Sequence, residues 1–192
     1  MRAALVLLAA CSPDITGGSY LCGANASCPP NEACNGTDNS CVLAGTQDVF
    51  ACDAHGTSHE PDDTIQQAFA IPQLACAGQP YFEKNCLVAT DAANWIKLAT
   101  PAACSAVAVD VRLTFPIAFE PLAVTLWDGS TMLAAGGACR GSMAPGETGQ
   151  CLTTTVQTGH DYAVEIAPAG GNDCGGSCAF NRYELTVQLP TP

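Results

Sequence analysis

A chain of 192 residues, 48% of them apolar and only 12% charged, is long enough and apolar enough to bury a core. Eighteen acidic residues against six basic ones give a formal net charge of -12, which leaves no basic patch and excludes nucleic acid and other polyanionic partners. Thirteen cysteines with 18 glycines and 13 prolines describe a loop-rich, disulfide-stapled chain that needs an oxidising compartment, and because 13 is odd at least one cysteine stands outside any internal pairing.

The N-terminus reads as a short export signal over residues 1–10. Met1 and Arg2 supply positive charge, Ala3 to Ala10 form an apolar run too short to cross a bilayer, and Cys11 follows at once. The four residues Leu8, Ala9, Ala10 and Cys11 resemble the lipobox of bacterial lipoproteins, in which the cysteine is acylated and becomes the new N-terminus. The resemblance implies an exported protein held at the cell envelope through a lipid on Cys11. Ser12 is not the aspartate that marks inner-membrane retention in some bacteria, which points to the outer membrane. The competing use of Cys11 is a disulfide behind an ordinary, trimmed signal peptide. Residues 11–21, small and polar with two glycines, read as a lipidated flexible tether.

Residues 22–45 form a cysteine-rich knuckle. Between Cys22, Cys28, Cys34 and Cys41 no apolar residue is larger than alanine, so the segment builds no core of its own and two disulfides must hold it. Of the three pairings open to four cysteines, the interleaved one, Cys22 with Cys34 and Cys28 with Cys41, is the expected one. Zinc is the rival use, but the C-x2-C pairs and histidines of zinc modules are missing.

From residue 50 onward period-2 alternation dominates. Val107, Val109, Val111, Leu113 and Phe115 fall on one face of a strand, with Asp110, Arg112 and Thr114 on the other. Similar runs carry Leu122, Val124 and Leu126; Leu152, Thr154 and Val156; Tyr162, Val164 and Ile166; and Tyr183, Leu185, Val187 and Leu189. Glycine and proline clusters separate them, and the one helical candidate is a turn or two near Asp62 to Ala70. The pattern predicts an all-β domain over residues 50–192, a disulfide-stapled, jelly-roll-like antiparallel β-sandwich. Proximity along the chain suggests Cys52 with Cys76, Cys86 with Cys104, Cys139 with Cys151, and Cys174 with Cys178, among 105 possible connectivities.

The order of features from Asp53 to Leu189 resembles the bacterial pre-peptidase C-terminal domain, a small secreted β-sandwich often found beside extracellular enzymes. The matching stretches are "EPDDTIQQA" (Glu60 to Ala68), "TDAANWIKL" (Thr90 to Leu98), "LAVTLWDGSTMLA", Gly159 to Tyr162 running into "AVEI", and "YELTV" at Tyr183 to Val187. Asp62 stands where the family has asparagine, and the family's paired aspartates have become Asp91, Ala92, Ala93 and Asn94. In some members these two segments form a calcium site. Carried over by position, the resemblance implies Glu60, Asp62, Asp63, Asp91 and Asn94 as oxygen ligands, a donor set that suits Ca2+. The alternative use of Asp62 and Asp63 is to cap a short helix starting at Thr64 or Ile65.

No catalytic constellation emerges. There is no G-x-S-x-G and no H-E-x-x-H, and "RGSM" at Arg140 lacks a nucleophile-elbow context. His55 and His59 read as exposed loop histidines, since Gly56 and Pro61 disfavour the helix a metal-binding pair four apart would need. Trp95 and Trp127 lie in strands, where they serve either the core or the binding of a sugar or peptide. The expectation is a non-enzymatic surface lipoprotein that binds or adheres at the envelope, with an extracellular polysaccharide or protein as partner. The alternatives are an accessory or folding module for a secreted protease and, third, an unrecognised hydrolase.

Overall fold

The computed structural model describes residues 20–48, 59–87, 92–105, 107–169 and 181–190. The readings that rest on residues 1–19, Cys52, His55, Asp91, Cys174 and Cys178 lie outside them. In the cysteine-rich segment a 3-10 turn, Ala24–Ala26, precedes a two-stranded antiparallel sheet of β1 (Glu32–Cys34) and β2 (Cys41–Leu43). The remaining described strands are β3 (Phe69–Ala70), β4 (Tyr81–Leu87), β5 (Asn94–Ala99), β6 (Val107–Pro116), β7 (Leu122–Asp128), β8 (Thr131–Ala135), β9 (Gly137–Ala138), β10 (Glu147–Val156), β11 (Asp161–Pro168) and β12 (Asn181–Gln188). Among the described residues they form two five-stranded sheets, β4-β12-β6-β10-β9 and β3-β5-β11-β7-β8.

Alternation decides which way each strand faces. Val109, Val111 and Leu113 of β6, Leu122, Val124 and Leu126 of β7, Val164 and Ile166 of β11, and Leu185 and Val187 of β12 are at most 1% exposed and meet in one core between the sheets. Burial of each such side chain is worth roughly 1.5–3 kcal/mol. Pairing is antiparallel throughout the described residues except where the short β3 runs parallel to β5, Phe69 opposite Ile96. The chain crosses from the second sheet to the first at Gly136, between β8 and β9. A Cβ there would lie 2.7 Å from Val124 Cγ1 and 3.1 Å from the Val124 carbonyl oxygen, so only glycine fits.

The helical candidate near Asp62 to Ala70 is instead a single turn, closed by the Gln67 N–H on the Thr64 carbonyl at 2.9 Å, followed by β3. Pairing with β5 and the extended conformation imposed on Ile71 by Pro72 hold the chain out straight, and Ile71 N–H donates to Lys97 O at 3.0 Å.

Within the knuckle Cys22 is bonded to Cys34 and Cys28 to Cys41. The knuckle has no core of its own and takes one from the sandwich. Cys22 and Cys41 pack with Ala118 and Phe119 of the β6–β7 connection, and Ala26 N–H donates to Ala118 O at 2.8 Å. On the other side the Arg182 guanidinium of β12 donates to the Gly36 and Thr37 carbonyls at 2.6 and 2.9 Å. Burial lowers the Arg182 pKa, and the charges of Glu147 and Asp38 oppose that shift.

In the sandwich Cys139 is bonded to Cys151, stapling the short β9 edge to β10. The expected pairs Cys52–Cys76 and Cys86–Cys104 are replaced by Cys76–Cys104, with Cα atoms 5.8 Å apart. The parallel contact of β3 with β5 carries the residues after β3 toward the end of the sandwich where β5 runs into β6, and there Cys76 meets Cys104. Cys86 is also disulfide-bonded.

Candidate functional site

Two places gather the polar and aromatic residues singled out in the sequence. The first is the outward face of the second sheet. Because Ile96, Leu98, Leu126, Val164 and Ile166 point inward, their neighbours Trp95, Trp127, Ala163 and Glu165 point outward. The register sets Trp95 opposite Glu165, and Ala163 between Lys97 on one side and Trp127 on the other. The tryptophans therefore lie diagonally across β11. They are half-buried, with ring centroids 6.0 Å apart and planes inclined at 47°.

Trp127 Nε1–H donates to Glu165 Oε2 at 2.9 Å, which fixes the orientation of that indole. Ala163, small and only 5% exposed, leaves room for the rings beside it. Around them lie a Lys97–Asp161 ion pair at 3.0 Å and a contact of His160 Nε2 with Asp128 Oδ1 at 2.9 Å. A hollow of about 210 Å3, lined by Ile65, Lys97, Gly129, Asp161, Tyr162 and Ala163, adjoins this face. Beyond Trp127 the bulged strand β8 continues the surface with the exposed Met132 and Leu133.

The second place is a polar cluster inside one end of the sandwich, beneath residues 59–62. Glu83, Asn85 and Asn94 are 7%, 4% and 1% exposed, although β4 lies at the edge of its sheet. Glu83 Oε2 accepts the Tyr81 hydroxyl at 2.6 Å and contacts His59 Nε2 at 3.3 Å. Burial pushes the Glu83 carboxyl above its ordinary range, against the opposing pull of Tyr81 and His59. Tyr183 is pushed well up, first by burial and then by the nearby charges of Glu83 and Asp62. His59 is not the exposed loop histidine expected from its flanks, since it stacks flat on Phe69, with ring centroids 3.5 Å apart. The buried Glu83 carboxylate and the Phe69 ring draw it down.

Of the expected calcium ligands, Asp62 is 1% exposed, and its carbonyl accepts Trp95 N–H at 2.9 Å, which sets it beside the start of β5 and hence near Asn94. The Asp62 N–H reaches Glu60 Oε2 at 3.4 Å. Asn94 donates through Nδ2 to Cys86 O and Tyr183 Oη, while its Oδ1 is buried with no hydrogen-bond partner among the described residues. Asp63 is half-buried in the turn, where no helix exists for it to cap. Among the described residues no three carboxylate or imidazole groups bring ligand atoms within 4.8 Å of one another, and the one such cluster consists of disulfide sulfurs in the knuckle. A buried carboxylate, an amide oxygen without a donor and a neighbouring glutamate are nonetheless hard oxygen donors of the kind Ca2+ takes.

The described cysteines all lie in disulfides, and no helix among the described residues is long and apolar enough to cross a membrane. Four disulfides closed within the described residues of one small sandwich and its knuckle are the mark of a chain that folds in an oxidising, extracytosolic compartment. No protein-family model matches the chain, and no curated protein matches it. Among solved structures it is similar to the pre-peptidase C-terminal domain of a collagenase from Bacillus anthracis, with 14% identity and a TM-score of 0.40, over 63% of this chain and 94% of that one.

Proposed function

We propose that this protein is a non-catalytic binding module, exported and held at the bacterial cell envelope through a lipid on Cys11, that contacts its ligand through the outward face carrying Trp95 and Trp127. The observation that supports this most is the pair of indoles. Both tryptophans of the chain stand on one solvent-facing surface, side by side, instead of filling the core. Aromatic rings at such a surface supply large contact area at little cost in conformational entropy. The lipid rests on the lipobox resemblance at Leu8 to Cys11 and on the odd cysteine count.

Because the chain holds only two tryptophans, its intrinsic tryptophan fluorescence reads this face alone. Titration with envelope polysaccharides and with secreted proteins is expected to shift the emission saturably. Trp95→Ala or Trp127→Ala should weaken that binding about tenfold, equivalent to ~1.4 kcal/mol. Emission unmoved by every ligand that the intact protein captures would place the binding surface elsewhere. For the anchor, protein extracted from membranes is expected to show the added mass of acyl chains on its N-terminal cysteine, and an unmodified Cys11 would remove this part of the proposal.

The calcium reading belongs to the same proposal. Glu60, Asp62, Asp63, Asp91 and Asn94 would hold the ion, which would join the segment before β3 to the start of β5. Its role would be to stiffen the end of the sandwich, with no part in chemistry. The buried Asn94 Oδ1 and the buried Asp62 carboxylate support it.

A further inference from the structure

We infer that the Trp95–Glu165–Trp127 constellation recognises a single cationic side chain, an arginine or lysine presented by a protein partner. This inference rests on the reading of that face as the ligand-contact surface and names the class of ligand. Three observations carry it. The first is charge: Lys97, the nearest base on the face, is taken by Asp161 at 3.0 Å, whereas Glu165 forms no ion pair among the described residues. A carboxylate thus stands beside two indoles with no counter-charge among the described residues, in a chain whose net charge is already -12.

The second is the geometry of the rings. With centroids 6.0 Å apart and an inclination of 47°, the indoles form one shallow angled seam, not two coplanar platforms for successive sugar rings. A cation seated over that seam lies within the roughly 6 Å range of both ring faces at once. The third is preorganisation. The Trp127 N–H is already committed to Glu165 Oε2, so the ring and the carboxylate are held in one arrangement before any ligand arrives. Tryptophan is the best aromatic partner for a cation, and a guanidinium adds donors that reach a carboxylate.

The test uses the intact, disulfide-bonded protein and the two indole N–H signals in its nitrogen-15 correlation spectrum. The probes are a short peptide whose one charged group is an arginine, the same peptide with citrulline, and a neutral cello-oligosaccharide. The arginine peptide is expected to shift both indole signals saturably, and the citrulline peptide to bind at least about fivefold more weakly. Glu165→Gln, which keeps an acceptor for Trp127 and removes the charge, should weaken the arginine peptide to a similar degree. Glu184→Gln, on the other sheet and paired with Lys84, should leave it unchanged. Equal binding of arginine and citrulline, or indifference to Glu165→Gln, overturns the inference. If the oligosaccharide alone moves the indoles, the binding face stands and the cationic ligand falls. If nothing moves them, both fall together.

Discussion

Replacing Cys76 and Cys104 together by alanine is expected to lower the stability of the sandwich by about 3 to 4 kcal/mol, the loop-closure entropy released when a cross-link across a separation of 28 residues is removed. The pair closes one end of the core. Cys104 is 7% exposed and belongs to the main cluster, as do Ile71 and Leu74 just before Cys76. Without the bond, β3 and the residues after it are tied to β5 mainly by the short parallel contact. The denaturant midpoint of the double variant, measured against the parent, reads the loss. A change below about 1 kcal/mol would mean that the described packing holds this end without its cross-link. Peptide mapping under non-reducing conditions should recover Cys76 joined to Cys104.

Calcium at about 10 mM should raise the melting temperature by about 3 to 10 °C. A dissociation constant of roughly 10^-4 to 10^-3 M, the range of extracellular calcium modules, gives about 1.4 to 2.7 kcal/mol of linkage at that concentration. For a domain of this size each kcal/mol is worth roughly 2 to 4 °C. Asp62→Asn preserves the shape of a buried side chain and removes a charged ligand, so it should abolish the rise while leaving a cooperative transition without calcium. A parent protein whose melting point ignores calcium would end the metal reading. The buried Asp62, Asn94 and Tyr183 would then be a structural polar cluster only.

The strands are legible in the sequence where both faces of the pattern are clean. From Val107 to Phe115 the large apolar side chains fall on every second position, as they do from Leu122 to Leu126, Tyr162 to Ile166 and Tyr183 to Val187, and only small alanines (Ala108, Ala123, Ala163) interrupt the polar set, so the facing of those segments is fixed. The outward placement of both tryptophans follows from the same parity, since Ile96 and Leu98 fix the inward set of β5 and Val124 and Leu126 that of β7. Glu165 follows in the same way from Val164 and Ile166. Parity does not reach the meeting of Trp95 with Trp127, because that depends on β11 being the strand between β5 and β7.

Other parts escape the sequence for physical reasons. In β4 the inward residues include Glu83 and Asn85 and the outward ones Phe82, so the hydrophobic pattern there runs against the true facing. The Cys76–Cys104 bond depends on a parallel pairing of two residues, too short to leave a periodic signal. The burial of His59 depends on Phe69 and on Glu83, the latter 24 positions away, and nothing local to the histidine hints at either contact.

Among the described strands β12 comes last in chain order, yet it fills the lane between β4 and β6. Without residues 181–188, β4 has no neighbour in its sheet among the described residues, and Leu185 and Val187 are missing from the middle of the core. The described lanes of this sheet therefore close only when its last strand in chain order is in place, so β4 joins β6 through the far end of the sequence and not through its chain neighbours.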